Sequence, residues 1–229
     1  MANLRNLPLS YRPVQRLIAL FAGLCLYGAG MSAMIAARLG LDPWDVFHQG
    51  LQKLTGIRFG WIVIGVGAVV LLAWIPLRQR PGIGTISNVI VIGLAVNVVS
   101  DVLPTPHNLA VRWAYAIGGI LAVGVASGLY IGTRLGAGPR DGLMTGVVAK
   151  YAGRKFASIR VIRTSIEVTV LAIGFLLGGQ VGWVTLIFAV TIGPLVHVLI
   201  PLLTFAGPPP SVETPAIAAS DVLVASPAP

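Results

Sequence analysis

Two carboxylates stand at matched places in this chain. Asp45 closes the run Arg38-Leu39-Gly40-Leu41-Asp42-Pro43-Trp44-Asp45. Asp141 closes Arg134-Leu135-Gly136-Ala137-Gly138-Pro139-Arg140-Asp141, 96 residues further on. Five of the eight positions are identical, and Gly50 carries the register onto Gly146. These residue types can break one helix and start another. Glycine (Gly40, Gly136) tolerates the left-handed conformation that closes a helix C-terminus. Proline (Pro43, Pro139) is preorganised for the first turn of the next helix. Asp42 can cap that helix, and Asp45 and Asp141 fall in its first turn, where a carboxylate meets the positive dipole end. One reading is a well-capped joint and nothing more. The other is a polar centre, since exposed helix N-termini can hold an anion or a polar solute inside a bilayer. In that reading Arg38 and Arg134 pair with Asp45 and Asp141 or offer a positive surface to a ligand. The two aspartates could also titrate in a proton-coupled cycle.

Glu167 also invites a functional reading, because an ionisable group within an apolar span is costly. Arg163, four residues earlier on the same helix face, could instead neutralise it. His197, between Val196 and Val198, and Cys25, within an apolar block, read as packing residues. One cysteine and three scattered histidines give no metal-ligand spacing. No nucleophile–base pair, Walker motif or dinucleotide fingerprint is present, so neither enzyme nor cofactor is expected.

These residues are set in a chain whose composition bounds the answer. Of 229 residues, 56% are hydrophobic and 10% charged, with a mean hydropathy of +0.88. Soluble domains carry about 25% charged residues, so lipid is the expected solvent for most of this surface. The net charge of +9 fits the cytoplasmic bias of Lys and Arg in membrane proteins better than nucleic-acid binding, for which no basic stripe with interleaved aromatics exists.

A span needs about 20 apolar residues. Leu17–Ala37 meets this and reads as a first span, not a cleaved leader. Gly60–Leu77, Ile83–Ser100, Trp113–Thr133, Arg163–Gly179 and Val181–Phe205 follow, the last interrupted by Gly193-Pro194 and by Pro201. Residues 43–56 and 139–153 are shorter and charged, as suits re-entrant or interfacial helices. The expected fold is therefore an all-α, polytopic transmembrane bundle of six spans plus two short helices. With the N-terminus cytoplasmic, twelve basic residues lie inside and four outside.

The order of elements repeats: span, Arg-Leu-Gly break, short helix, span, Gly-rich turn, span. Gly82-x-Gly84-Thr85 echoes in Gly179-x-x-Gly182-x-x-Thr185. With three crossings per unit, the second copy enters from the opposite face, giving an inverted repeat. With eight spans the copies would be parallel, but the length and charge of the two short segments favour six. The expected layout is a cytoplasmic segment (1–13), a membrane domain (14–206, its copies near 14–103 and 111–205) and a Pro/Ala-rich tail (207–229) expected to be disordered and cytoplasmic.

The paired Leu-Gly-x-x-Pro-x-Asp motifs resemble the bacterial YczE/YitT-like integral membrane proteins. So does the run Arg163-Thr164-x-x-Glu167, Gly174-x-x-Leu177-Gly178-Gly179, Gly182, Thr185 and Gly193-Pro194. The resemblance covers about residues 14–205, with His197 where a glutamine would be expected. It implies a multi-spanning inner-membrane protein and assigns no chemistry. Two functions remain in view. One is a secondary transporter or permease-like protein for a small solute or ion, its site near Arg38, Asp45, Arg134, Asp141 and Glu167. The other is a non-transporting accessory or assembly factor, in which the same residues, with Gly40, Pro43, Gly136, Pro139, Arg163, Gly193 and Pro194, only shape helix joints.

Overall fold

The computed structural model describes residues 10–154 and 158–206. Residues 1–9 of the expected N-terminal segment (1–13) and the whole of the expected tail lie outside the described residues. Every regular element among them is a helix: α1 (Pro13–Ala37), α2 (Pro43–Thr55), α3 (Phe59–Trp74), α4 (Ile83–Val102), α5 (Leu109–Gly132), α6 (Pro139–Lys150), α7 (Ile159–Leu176) and α8 (Trp183–Leu203). The protein is an all-helical membrane protein, but six full spans are not what the helices give. Four (α1, α4, α5 and α8) are long and apolar enough to cross a membrane. The pair α2 and α3, bent by 114° at a short break, would make a fifth if taken as one span. Alone, α3 has 16 residues, which at ~1.5 Å per residue falls short of a ~30 Å hydrocarbon core. The length of α7 suffices, but it carries Arg160, Arg163 and Glu167. In α8 the expected interruption does not occur, since the helix runs on through Pro194 and Pro201.

The bundle is built on α1 and α5, which pack antiparallel along most of their lengths. At one end Arg16 Nε donates to the Thr133 carbonyl (2.8 Å); at the other Arg112 Nε donates to the Ala37 carbonyl (2.7 Å). Small residues bring the two backbones together. A Cβ on Gly23 would meet Ala126 and Leu129, and one on Gly30 would meet Gly119. Such contacts recur in pairs through the molecule. Helix α4 packs on α1 and α8 on α5, while α2 packs on α7 and α6 on α3. Gly82-x-x-Thr85 closes on the break at Leu135-Gly136 through Gly84 N to Leu135 O (3.0 Å). Gly182-x-x-Thr185 closes on Leu39-Gly40 through Val184 N to Leu39 O (3.1 Å). Thr85 with Gly82 and Thr185 with Gly182 therefore make similar contacts, in which Gly179 takes no part.

Two cores follow from this arrangement. One gathers Met34, Leu41, Ala116, Ile120, Phe188 and Ile192; the other gathers Leu20, Leu24, Phe59, Ile92, Tyr130 and Leu135. One departure from the pairing is large. Helices α3 and α4 touch through Gly60 and Gly93, where Asn97 Oδ1 accepts from Gly60 N (3.0 Å). Helices α7 and α8 lack a comparable contact. One hundred residues after Gly60 and Asn97 stand Arg160, which is exposed, and His197. His197 is exposed rather than packed, and so is Cys25.

Candidate functional site

The helix breaks form as the sequence predicts, with one shift in detail. The left-handed residues that close α1 and α5 are Arg38 (φ 51°) and Arg134 (φ 55°), two positions before Gly40 (φ 117°) and Gly136 (φ 144°). Their carbonyls accept from arginines of the opposing helix: Arg38 O from Arg112 Nη2 (2.8 Å), Arg134 O from Arg16 Nη2 (3.4 Å). Gln180 Nε2 also donates to Arg38 O (2.7 Å). Neither Arg38 nor Arg134 pairs with an aspartate. Both belong to the ends of the α1–α5 pair, away from the polar centre.

The centre forms where the N-terminus of α2 faces that of α6. Asp42 caps α2 as expected, its Oδ1 accepting from Asp45 N (2.8 Å). Asp45 is fully buried, and its Oδ1 lies 3.0 Å from His48 Nδ1. Across the gap Arg140, in the first turn of α6, sets Nη1 3.6 Å from Asp42 Oδ2 and Nη2 3.8 Å from Asp45 Oδ1. Its guanidinium also lies over the Trp44 ring, 5.0 Å from the centroid. Asp141 takes a different partner, with Tyr130 Oη donating to its Oδ2 (3.2 Å). Tyr130 in turn meets Tyr27 edge to face.

Between these groups lies a cavity of about 150 Å³. Asp42, Trp44, His48, Arg140, Asp141, Tyr27 and Tyr130 line it, with Arg163 and Glu167 at the α7 side and Asn88 at the α4 side. Arg163 and Glu167 form the pair that their spacing predicts, Nε to Oε1 at 2.9 Å. Of the five sequence-predicted site residues, Asp141 and Glu167 line the cavity, Asp45 is buried beside Arg140 and His48 without lining it, and Arg38 and Arg134 take no part. Gly40, Pro43, Gly136 and Pro139 shape the two breaks; Gly193 has no neighbour within contact of an added Cβ.

Sequence reasoning missed Arg140, Asp42 as more than a cap, and the two tyrosines. A signal for Arg140 did exist: a cation in the first turn of a helix opposes the dipole, so something else has to hold it there. Three buried polar atoms beside the cavity have no hydrogen-bond partner among the described residues: Asp42 Oδ2, Asp45 Oδ2 and Trp44 Nε1. Such atoms are rare and costly in a finished interior. No group of residues that could hold a metal ion occurs among the described residues.

Comparison with known proteins matches the same region. A model of a family of unknown function, DUF6198, covers residues 14–201. The chain is 41% identical over 180 residues to an uncharacterised protein of Haemophilus influenzae, spanning 79% of this chain and 80% of that one. It is 30% identical to the uncharacterised membrane protein YczE of Bacillus subtilis (79% and 83%) and 25% identical to YyaS of the same organism (79% and 90%). No solved structure matches. With its paired helix breaks and the polar cavity between them, this chain belongs to the DUF6198 family of YczE-like membrane proteins.

Proposed function

We propose that this protein is a secondary transporter for a small solute or ion, with the cavity between α2 and α6 as its binding site and its halves forming an inverted repeat. The carrying observation is the meeting of two helix N-termini, one from each half, around a polar cavity walled by buried charge. Helix breaks that face each other across such a space are a recurring design of transporters with inverted repeats. The reciprocal contacts of Arg16 and Arg112, and of Thr85 and Thr185, support a twofold relation between α1–α4 and α5–α8. Its antiparallel α1–α5 axis favours inversion over parallel copies. The close α3–α4 pair and the parted α7–α8 pair support a reading in which the halves hold different conformations, as alternating access requires.

Size narrows the ligand. At about 150 Å³ the cavity is below the roughly 300–1,000 Å³ of drug-sized sites and near the volume known to admit a benzene-sized guest. An ion or a solute of half a dozen heavy atoms fits. On this reading the protein lies in the bacterial inner membrane with its N-terminus cytoplasmic, as the distribution of Lys and Arg favours.

The alternative, a non-transporting accessory factor, draws support from Asp42 and Arg163, whose capping and i,i+4 bonds would serve any helix joint. Substitution separates the two. Asp45→Asn and Asp141→Asn proteins are to be expressed in a strain lacking the native copy, with membrane insertion checked by protease protection. Loss of the cellular phenotype despite normal insertion is the expected result. Full complementation by both variants would remove the transport-site reading.

A further inference from the structure

The side chains at the centre carry information about charge that the helix N-termini do not. Asp42, Asp141 and Glu167 line the cavity and Asp45 lies behind it beside Arg140, so four carboxyl groups stand against two guanidinium groups (Arg140, Arg163). With all ionised, four negative charges against two positive leave the site at −2. Arg163 is already spent on Glu167 at 2.9 Å. An anion drawn by the helix N-termini would meet this excess. A cation would reduce it.

The position for such a cation is already marked. Arg140 reaches from the second half into a recess built by the first, with the Trp44 ring on one side and Asp42 and Asp45 beside it. A ring face with carboxylates at its edge is a general recognition site for organic cations. Arg140 fills it loosely: 3.6 and 3.8 Å are ion-pair distances beyond hydrogen-bond reach. Asp42 Oδ2 and Asp45 Oδ2, on residues 1% and 0% exposed, are left without a donor. The recess has acceptors to spare, and its resident cation does not use them.

We propose that Arg140 is a tethered stand-in for the ligand, and that the site takes a small organic cation of the guanidinium or ammonium class, which displaces Arg140 from Trp44, Asp42 and Asp45. This rests on the binding-site reading above and deepens it. Displacement frees Arg140 from the first half, so that binding also breaks a charged link between the two halves.

The test is calorimetric titration of the purified full-length protein in detergent, at constant ionic strength, with guanidinium and methylammonium at millimolar concentration and with acetate and phosphate as anionic probes. Guanidinium is expected to bind wild type weakly and Arg140→Gln roughly tenfold more tightly, the scale of one cation–π contact and one loose ion pair removed from competition. Arg140→Lys restores the wild-type value, and Asp45→Asn and Trp44→Leu each weaken binding by a similar factor. Should Arg140→Gln not fold, the Trp44→Leu and Asp45→Asn titrations decide alone. Cation binding that is unchanged in Arg140→Gln, or indifferent to Trp44 and Asp45, overturns the proposal. So does binding of acetate or phosphate that vanishes in Arg140→Gln, a result that leaves a ligand site at the cavity standing. Absence of binding by all four probes overturns it too. Because binding is read without transport, a cation bound as expected but with unimpaired complementation by Asp45→Asn would sink the transporter alone.

Discussion

Arg16 and Arg112 perform one task at opposite ends of one helix pair. Each lies in the first turn of its own helix and donates through Nε to the last carbonyls of the other, Thr133 O for Arg16 and Ala37 O for Arg112. A helix C-terminus in or near lipid leaves carbonyls that water cannot satisfy, and these arginines satisfy them while fixing the antiparallel register.

The two differ in burial, and that sets an expected ranking. Arg16 is fully buried, so Arg16→Ala strips a charged hydrogen bond and leaves a buried carbonyl without a partner, costing about 2–3 kcal/mol. Arg112 is half-buried, and Arg112→Ala should cost about 1 kcal/mol because solvent and headgroups can replace it. Unfolding by titration with SDS in mixed micelles measures both. Equal costs would show that burial does not decide the matter.

Gly40 and Gly136 combine a left-handed φ with a close neighbour, since an added Cβ would press on Thr185 Oγ1 or Thr85 Oγ1 respectively. Gly40→Ala and Gly136→Ala should each destabilise by about 1–3 kcal/mol. Gly65 and Gly118 have open space around them and helical backbone. Alanine at either should be neutral or stabilise by up to about 1 kcal/mol. The same assay distinguishes the two classes.

The α3–α4 contact yields a contrast between corresponding glycines. A Cβ on Gly93 would run into the Gly60 carbonyl and Ile64, whereas Gly193 has no atom within 4 Å of an added Cβ. Gly93→Ala is expected to lower the thermal midpoint in detergent by several degrees, and Gly193→Ala to leave it unchanged. A loss at Gly193 would mean that α7 and α8 close on each other in the membrane.

Each threonine at the start of α4 and α8 ties one half to the break in the other. Thr85 Oγ1 donates to Ala137 O (2.7 Å) and accepts from Gly82 N (3.1 Å); Thr185 Oγ1 accepts from Leu41 N and Gly182 N, both at 3.2 Å. Thr85→Val and Thr185→Val keep the shape and remove these bonds at a cost of about 1–3 kcal/mol each. Thr→Ser at either site should recover most of that loss.

Accessibility mapping addresses the topology. In a Cys25→Ala background, single cysteines through residues 43–56 and 139–153 should label from one membrane face per segment, and from opposite faces for the two segments. Labelling of both from the same face would remove the inverted arrangement.

Much of this frame is legible in the sequence because it depends on local chemistry. Pro43 and Pro139 start α2 and α6 where their fixed φ suggests, Asp42 caps, and Arg163 finds Glu167 one turn away. Arg38 and Arg134 were less legible. Their types suggested partners for aspartates, yet their left-handed backbone points their carbonyls at Arg112 and Arg16. Arg140 was hidden for a different reason. Its meaning depends on Trp44, a residue 96 positions earlier that local spacing cannot bring near. The number of spans also escaped composition, since α3 is apolar enough but too short.

The fit of α2 on α7 and of α6 on α3 has a consequence for how such a chain could arise or be cut. Val46 and Phe47 lie against Gly174, while Gly142 lies under the ring of Trp74; bulk and gap have changed sides between the two joints. A pairing of two first halves would drive Trp74 into Val46 and stack Trp44 on itself. A pairing of two second halves would leave a hole between Gly142 and Gly174 and set Arg140 against Arg140. At these two joints the shape of α1–α4 is complementary to that of α5–α8 and not to itself.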